Sequence, residues 1–147
     1  MSLDFDGSGL RLRLAEGWQQ VETGPEAAFA ALHPDDGSGF RASVVLTTSI
    51  VGALDAERWA AGTAAVLADR LTGFLLLDDA EARLGGLPAR RLLVSYVDDA
   101  VRDLTLEQWS AVTEGRGIAL SFTCATADYP RFRAVAQGIA DSLEVAR

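Results

Sequence analysis

Between Pro88 and Ala125 apolar and polar positions alternate in three successive runs, Pro88–Val97, Leu104–Thr113 and Ile118–Ala125. Val, Leu, Thr, Tyr, Trp and Phe recur in them, the residue types that suit a pleated, half-buried surface. An acidic turn separates the first two runs, and Glu114-Gly115-Arg116-Gly117 separates the last two. The pattern predicts one continuous antiparallel meander. In the last run Ile118, Leu120, Phe122 and Cys124 share a face by the two-residue period of a strand. The middle run sorts less cleanly. Leu104, Leu106 and Val112 share a face with Gln108 and Ser110, while Thr105, Glu107, Trp109 and Ala111 take the other.

The rest of the chain supplies elements to pack on this meander. Asp4–Ser8 reads as a polar lead-in, and Gly9–Leu14 as a strand with Leu10, Leu12 and Leu14 inward. Trp18–Val21 is a short extension, Ala27–His33 a weak strand, His33–Gly39 a long turn and Phe40–Ser49 a strong strand. The first helix runs from about Ala56 to Leu71, with Asp55 as N-cap and Leu54 and Trp59 placed for a hydrophobic staple. Phe74–Arg83 is a strand that begins apolar and ends charged. After the meander, Asp128 is placed to cap a second helix reaching about Leu143, with Phe132, Val135, Ala136, Ile139 and Leu143 on one face. Gly138 suits close packing there, and Glu144–Arg147 reads as a fraying tail. The fold class is α+β: an α/β/α sandwich with a central, mostly antiparallel sheet of about six to seven strands and helices on both faces.

Composition narrows the function. A chain of 147 residues with 49% hydrophobic content is a single domain over 1–147 with a sizeable core. Its net charge of -8 disfavours phosphate backbones and anionic lipid, so no nucleic-acid partner is expected. There is no Lys and no Asn, as a GC-rich, for example actinobacterial, coding background would give. Without Lys there is no Schiff base and no phosphate-loop lysine. The lone Cys124 excludes an internal disulfide and a cysteine zinc cluster. No apolar stretch approaches the roughly 20 residues of a transmembrane helix, and no signal peptide is visible. The expected setting is the cytoplasm; export or envelope association is the alternative.

Candidate chemistry is thin. His33 is the only histidine, and no nucleophile-elbow motif accompanies it, so no catalytic set is assigned. The pairs Asp35-Asp36, Asp78-Asp79 and Asp98-Asp99 lack the calcium-loop pattern and read as solvated turn and strand-end acids. No metal and no cofactor are expected. Arg90 and Arg91 are neighbours on a strand and so face opposite ways. Within the meander Trp109, Tyr96 and Glu107 are the candidate interface residues: an aromatic between a charge and small residues is placed either as a partly exposed anchor or as core beneath a helix.

Several stretches together resemble the PsbP-like fold, in its bacterial branch of LpqN- and DcrB-type domains. They are Gly9–Trp18, Phe40–Ser49, Asp55–Leu71, Gly86-Leu87-Pro88-Ala89-Arg90-Arg91, Gln108, Ile118–Thr126 and Tyr129–Leu143 with its Ser142-Leu143 end. Ala15 departs from the proline common there, and no lipobox cysteine stands near the start. The resemblance implies an α/β/α sandwich, no catalytic residues to carry over, and a role as a binding or accessory module. The leading expectation is therefore a non-catalytic domain that binds a protein partner, another copy of itself included. The alternative is a small-ligand-binding or metal-dependent enzyme using His33 and the acidic turns.

Overall fold

The computed structural model describes residues 2–25, 27–37 and 39–146. Ser38 of the predicted turn and Arg147 of the predicted tail lie outside them. In chain order the elements are β1 (Leu3–Gly7), β2 (Leu10–Leu14), β3 (Gln19–Val21), β4 (Phe29–Leu32), β5 (Ser43–Ile50) and α1 (Ala56–Arg70). There follow β6 (Thr72–Leu84), β7 (Leu87–Val97), β8 (Asp103–Thr113), β9 (Arg116–Ala125), α2 (Tyr129–Asp141) and β10 (Glu144–Val145). Seven strands form one sheet in the order β3-β4-β5-β9-β8-β7-β6, antiparallel throughout, and β1-β2-β10 form a small second sheet. The expected meander is its β7-β8-β9 centre.

Register fixes which side chains share a face. Leu106 stands opposite Val94 and Thr123, and Trp109 opposite Arg91 and Leu120. On the Trp109 face lie α2 and the small sheet, around a core of Leu10, Leu12, Leu14, Phe29, Phe122 and Phe132 among others. On the Leu106 face lies α1, over a small cluster of Leu92, Val94 and Leu106 with Ala64, Leu67 and Leu71. The domain is thus layered as expected, with one helix on each face.

α1 starts where its sequence says. Asp55 Oδ1 accepts from the Arg58 amide at 2.8 Å, and buried Ala60 lets the helix sit close to the sheet. Trp59 lies across Gly117, where a β-carbon would come within 2.7 Å of the indole, and donates to the Ile118 carbonyl at 3.3 Å. This glycine is what lets the helix seat on β9.

Four expectations need correction. Asp4–Ser8 is not a lead-in: β1 pairs along the whole of β2, and Arg13 and Arg11 bind Asp4 and Asp6 at 3.2 and 3.3 Å across it. The tail does not fray, because β10 pairs with β2 and the Ala146 amide donates to the Gly9 carbonyl at 2.8 Å. β1 carries an alternation of its own, Leu3 and Phe5 against Asp4 and Asp6, and turns directly into β2 through Ser8-Gly9, whereas β10 is two residues long and is held by a partner strand distant in sequence. Asp128 makes no side-chain cap, since a 3-10 turn, Thr126–Asp128, leads into the helix and Pro130 supplies no amide hydrogen. It pairs with Arg131 at 3.5 Å instead. Gly138 serves no close packing, as an added β-carbon would meet nothing within 4 Å.

Candidate functional site

β8 runs through the middle of the sheet, with a neighbour on each side and a packed layer on each face. Alternation therefore cannot sort it into inside and outside. Thr105, Glu107, Gln108, Trp109 and Ser110 are all buried. Trp109 has no exposed surface at all, so it is core beneath α2 and not an exposed anchor. Glu107 is equally withdrawn, at 3% exposure.

A buried carboxylate needs a cation and hydrogen bonds. Glu107 has both. Arg91 donates through Nε to its Oε2, and the same guanidinium reaches Asp78 at 3.1 Å and the Tyr129 hydroxyl at 3.2 Å. Burial, and then the charge of Glu107, push the Tyr129 phenol above its ordinary 10.0. Over this cluster is an open depression of about 590 Å³, walled on the α2 side by Pro130, Arg133, Ala134 and Gln137. Arg90 faces the other way, as strand alternation requires, and binds Asp79 at 2.5 Å.

Tyr96 is half-buried on the α1 face, at the edge of the small cluster. Burial raises its pKa above 10.0, the Thr123 hydroxyl opposes this, and the charge of Asp98 adds to it. Beyond Tyr96 the face lies open. α1 packs on β6, β7 and β8 and reaches β9 through Trp59 at Gly117 and Ile118, while farther along β9, and on β5 and β4, Thr123, Ser121, Val45, Thr47 and Leu32 are each partly exposed. Sequence alternation in Phe40–Ser49 indicates this second face, but not that the helix stops short of it.

The residues of the enzymatic alternative are separated and occupied. The His33 ring is held edge-on between Trp18 and Phe132, at 5.3 and 4.9 Å, with Nδ1 2.9 Å from the Pro34 carbonyl. Cys124 is buried, and that burial, followed by the charges of Asp128 and Glu107, pushes its thiol up to about 12. The acid pairs are more than solvated. Asp36 binds Arg131 at 2.8 Å, Asp78 and Asp79 bind Arg91 and Arg90, and Asp98 binds Arg102 at 2.8 Å. The backbone amide of Arg102 first, and its guanidinium with it, hold the Asp98 carboxyl below its usual range. Among the described residues no three His, Cys, Asp or Glu side chains are gathered to hold a metal ion.

No protein-family model matches the chain, and no curated protein does. Solved structures do. LpqN of Mycobacterium tuberculosis, described as involved in cell envelope biogenesis, superposes with a TM-score of 0.74 at 18% identity, covering 100% of this chain and 91% of that one. The fold is PsbP-like, of the LpqN type. PA94 of Pseudomonas aeruginosa, a protein of unknown function, gives 0.71 at 19% identity over 99% of this chain and 97% of that one. Cyanobacterial PsbP from Synechocystis gives 0.71 at 12% identity over 98% and 92%. At such identities the likeness is one of architecture, and it agrees with the stretches that resembled this fold in sequence. Among the described residues no helix is long and apolar enough to cross a membrane.

Proposed function

We propose that this PsbP-like domain is a non-catalytic accessory module that works by holding a protein partner on the open half of its sheet. The observation that carries this is the uncovered surface of β9, β5 and β4 beyond Tyr96. It is broad, built of small hydroxyl and apolar side chains on a rigid strand scaffold, and free of charge at its centre. Tyr96 stands at its border with the ring packed and the hydroxyl bonded to Thr123, as a pre-ordered aromatic suited to an interface. The commitment of His33 and Cys124, the sole imidazole and thiol, to packing supports the same reading. The neighbours give no support to a cytoplasmic setting, and the description of LpqN favours the cell envelope.

A photoreactive residue at Val45 in the living source cell tests this. The expected result is one discrete covalent adduct, lost when Thr123→Arg is added, and none from the same label at exposed Asp69 on α1. Equal labelling from both positions overturns the reading. So does a hydrolytic activity abolished by His33→Ala in a chain that stays folded.

A further inference from the structure

The two edges of the large sheet are protected to different degrees. β3 is three residues long, too short to template another strand. β6, at the other edge, is thirteen residues long. Its second half carries Asp78, Asp79, Glu81 and Arg83, charges of the kind that keep edges apart. Its first half carries none. There Leu75, Leu76 and Leu77 are 58%, 41% and 51% exposed.

Successive residues of a strand point to opposite faces. Leu75 stands opposite Ser95 and Leu76 opposite Val94, so these two exposed leucines leave this end of β6 bare on both faces as well as along its edge, and exposed Leu77 lies at the bulge that follows them. A helix laid in a groove would cover one face only. Another strand continues the ladder and brings side chains to both faces at once. We propose that Leu75–Leu77 of β6 pairs antiparallel with the same segment of a second copy of this chain, extending the sheet across a two-fold axis.

The sequence of β6 is self-complementary in that arrangement. A two-fold through the triad sets leucine against leucine, and it leaves Asp78 and Asp79 of each copy opposite the uncharged Leu71–Phe74 end of the other. Sliding the pair toward the charged half would set aspartate against aspartate, which cross-strand pairing disfavours. Charge thus selects the leucine register. The two aspartates are also already paired to Arg91 and Arg90, which lowers the repulsion left over. Register shifts on either side of Leu75-Leu76 keep the regular ladder short. The contact then falls below the roughly 800 Å² per partner of a standard interface, so the dimer is weak and reversible, with a Kd on the order of tens of micromolar. It lies at the opposite end of the sheet from the open half-face and does not depend on it.

Sedimentation velocity on the full chain, from about 5 to about 500 µM to bracket that Kd, tests the proposal. The expected result is a concentration-dependent monomer–dimer equilibrium that Leu76→Asp shifts wholly to monomer without changing the circular dichroism or the melting temperature. Should Leu76→Asp fail to fold, Leu75→Lys serves in its place. Hydrogen exchange of amides 73–77 in the unaltered protein supplies a readout free of mutation, and it should slow as concentration rises. A protein monomeric over the whole range overturns the proposal. So does a dimer that survives both leucine variants in folded form, or one that Thr123→Arg abolishes while the leucines remain.

Discussion

The two faces of the seven-stranded sheet are built from the same strands yet differ in kind. The Trp109 face is closed by α2 and by the small β1-β2-β10 sheet, and its core runs from Leu10 to Leu143. The Leu106 face carries one helix over half its width and a cluster of three buried residues. The first face holds the fold together, and the second leaves flat, half-exposed strand available for contact. The difference shows that burial in this domain follows what packs on a strand more than what the strand contains. β8 makes the case: Glu107 and Trp109 on one face, Gln108 and Ser110 on the other, all buried.

The contrast breaks most visibly if the closed face is opened. Trp109→Ala should cost about 3–5 kcal/mol, the usual range for deleting a buried aromatic. At this chain length each kcal/mol is worth roughly 2–4 °C, so the melting temperature should fall by roughly 6–20 °C. Thermal and urea unfolding measure it. A loss under about 1 kcal/mol would show that Trp109 is not the centre of the closed face, and the comparison would fail with it.

Much of the layering was legible because it is local. Leu10, Leu12 and Leu14 alternate with two arginines, Asp55 precedes a helical stripe, and the meander announces its turns. β1 was legible in the alternation of Leu3 and Phe5 with Asp4 and Asp6, which a lead-in beginning at Asp4 cuts through, whereas β10, two residues long, is defined only by its pairing with β2. The candidate site divides the same way. Tyr96 sits where a surface reading allows, at the rim of the open half. Trp109 and Glu107 do not, because their burial depends on α2, whose position over β8 is a tertiary fact absent from the strand. The Arg91–Glu107 pairing was hidden as well: it joins residues that are neighbours only once β7 and β8 are in register. The bare leucines of β6 were visible as three letters in a row, but their exposure follows from β6 lying at the sheet edge.

Cys124 sharpens the comparison at a smaller scale, as a thiol on the closed face. Its pKa is raised from its ordinary 9.0 to about 12. The folded chain therefore holds this proton more tightly than the unfolded one. The resulting stability is fully present below pH 9 and is lost as pH rises from there toward about 12. Tyr96 and Tyr129, both raised above 10.0, add to the loss in the same direction. Urea melts across that range should show falling stability, with a shallower slope in Cys124→Ala. At pH 8 the native thiol should resist alkylation and react only after unfolding. Rapid stoichiometric labelling of the folded protein would mean that the closed face is not closed.

The smallest expected effect lies one residue away. Thr123 adjoins Phe122 in β9 and points to the opposite face, where it is half-exposed and meets the hydroxyl of Tyr96. An arginine there has room to lay its methylenes along the open strands and keep its charge in water. The cost is the contact with Tyr96, a hydrogen bond worth about 0.5–1.5 kcal/mol net, partly offset by that packing. Thr123→Arg should thus lower stability by no more than about 1 kcal/mol, well below the loss from Trp109→Ala on the other side of the sheet. The same pair of urea melts decides it. If Thr123→Arg costs as much as Trp109→Ala, something packs on β9 as tightly as α2 packs on β8. The open half-face would then be core, and the partner surface proposed on it would not exist.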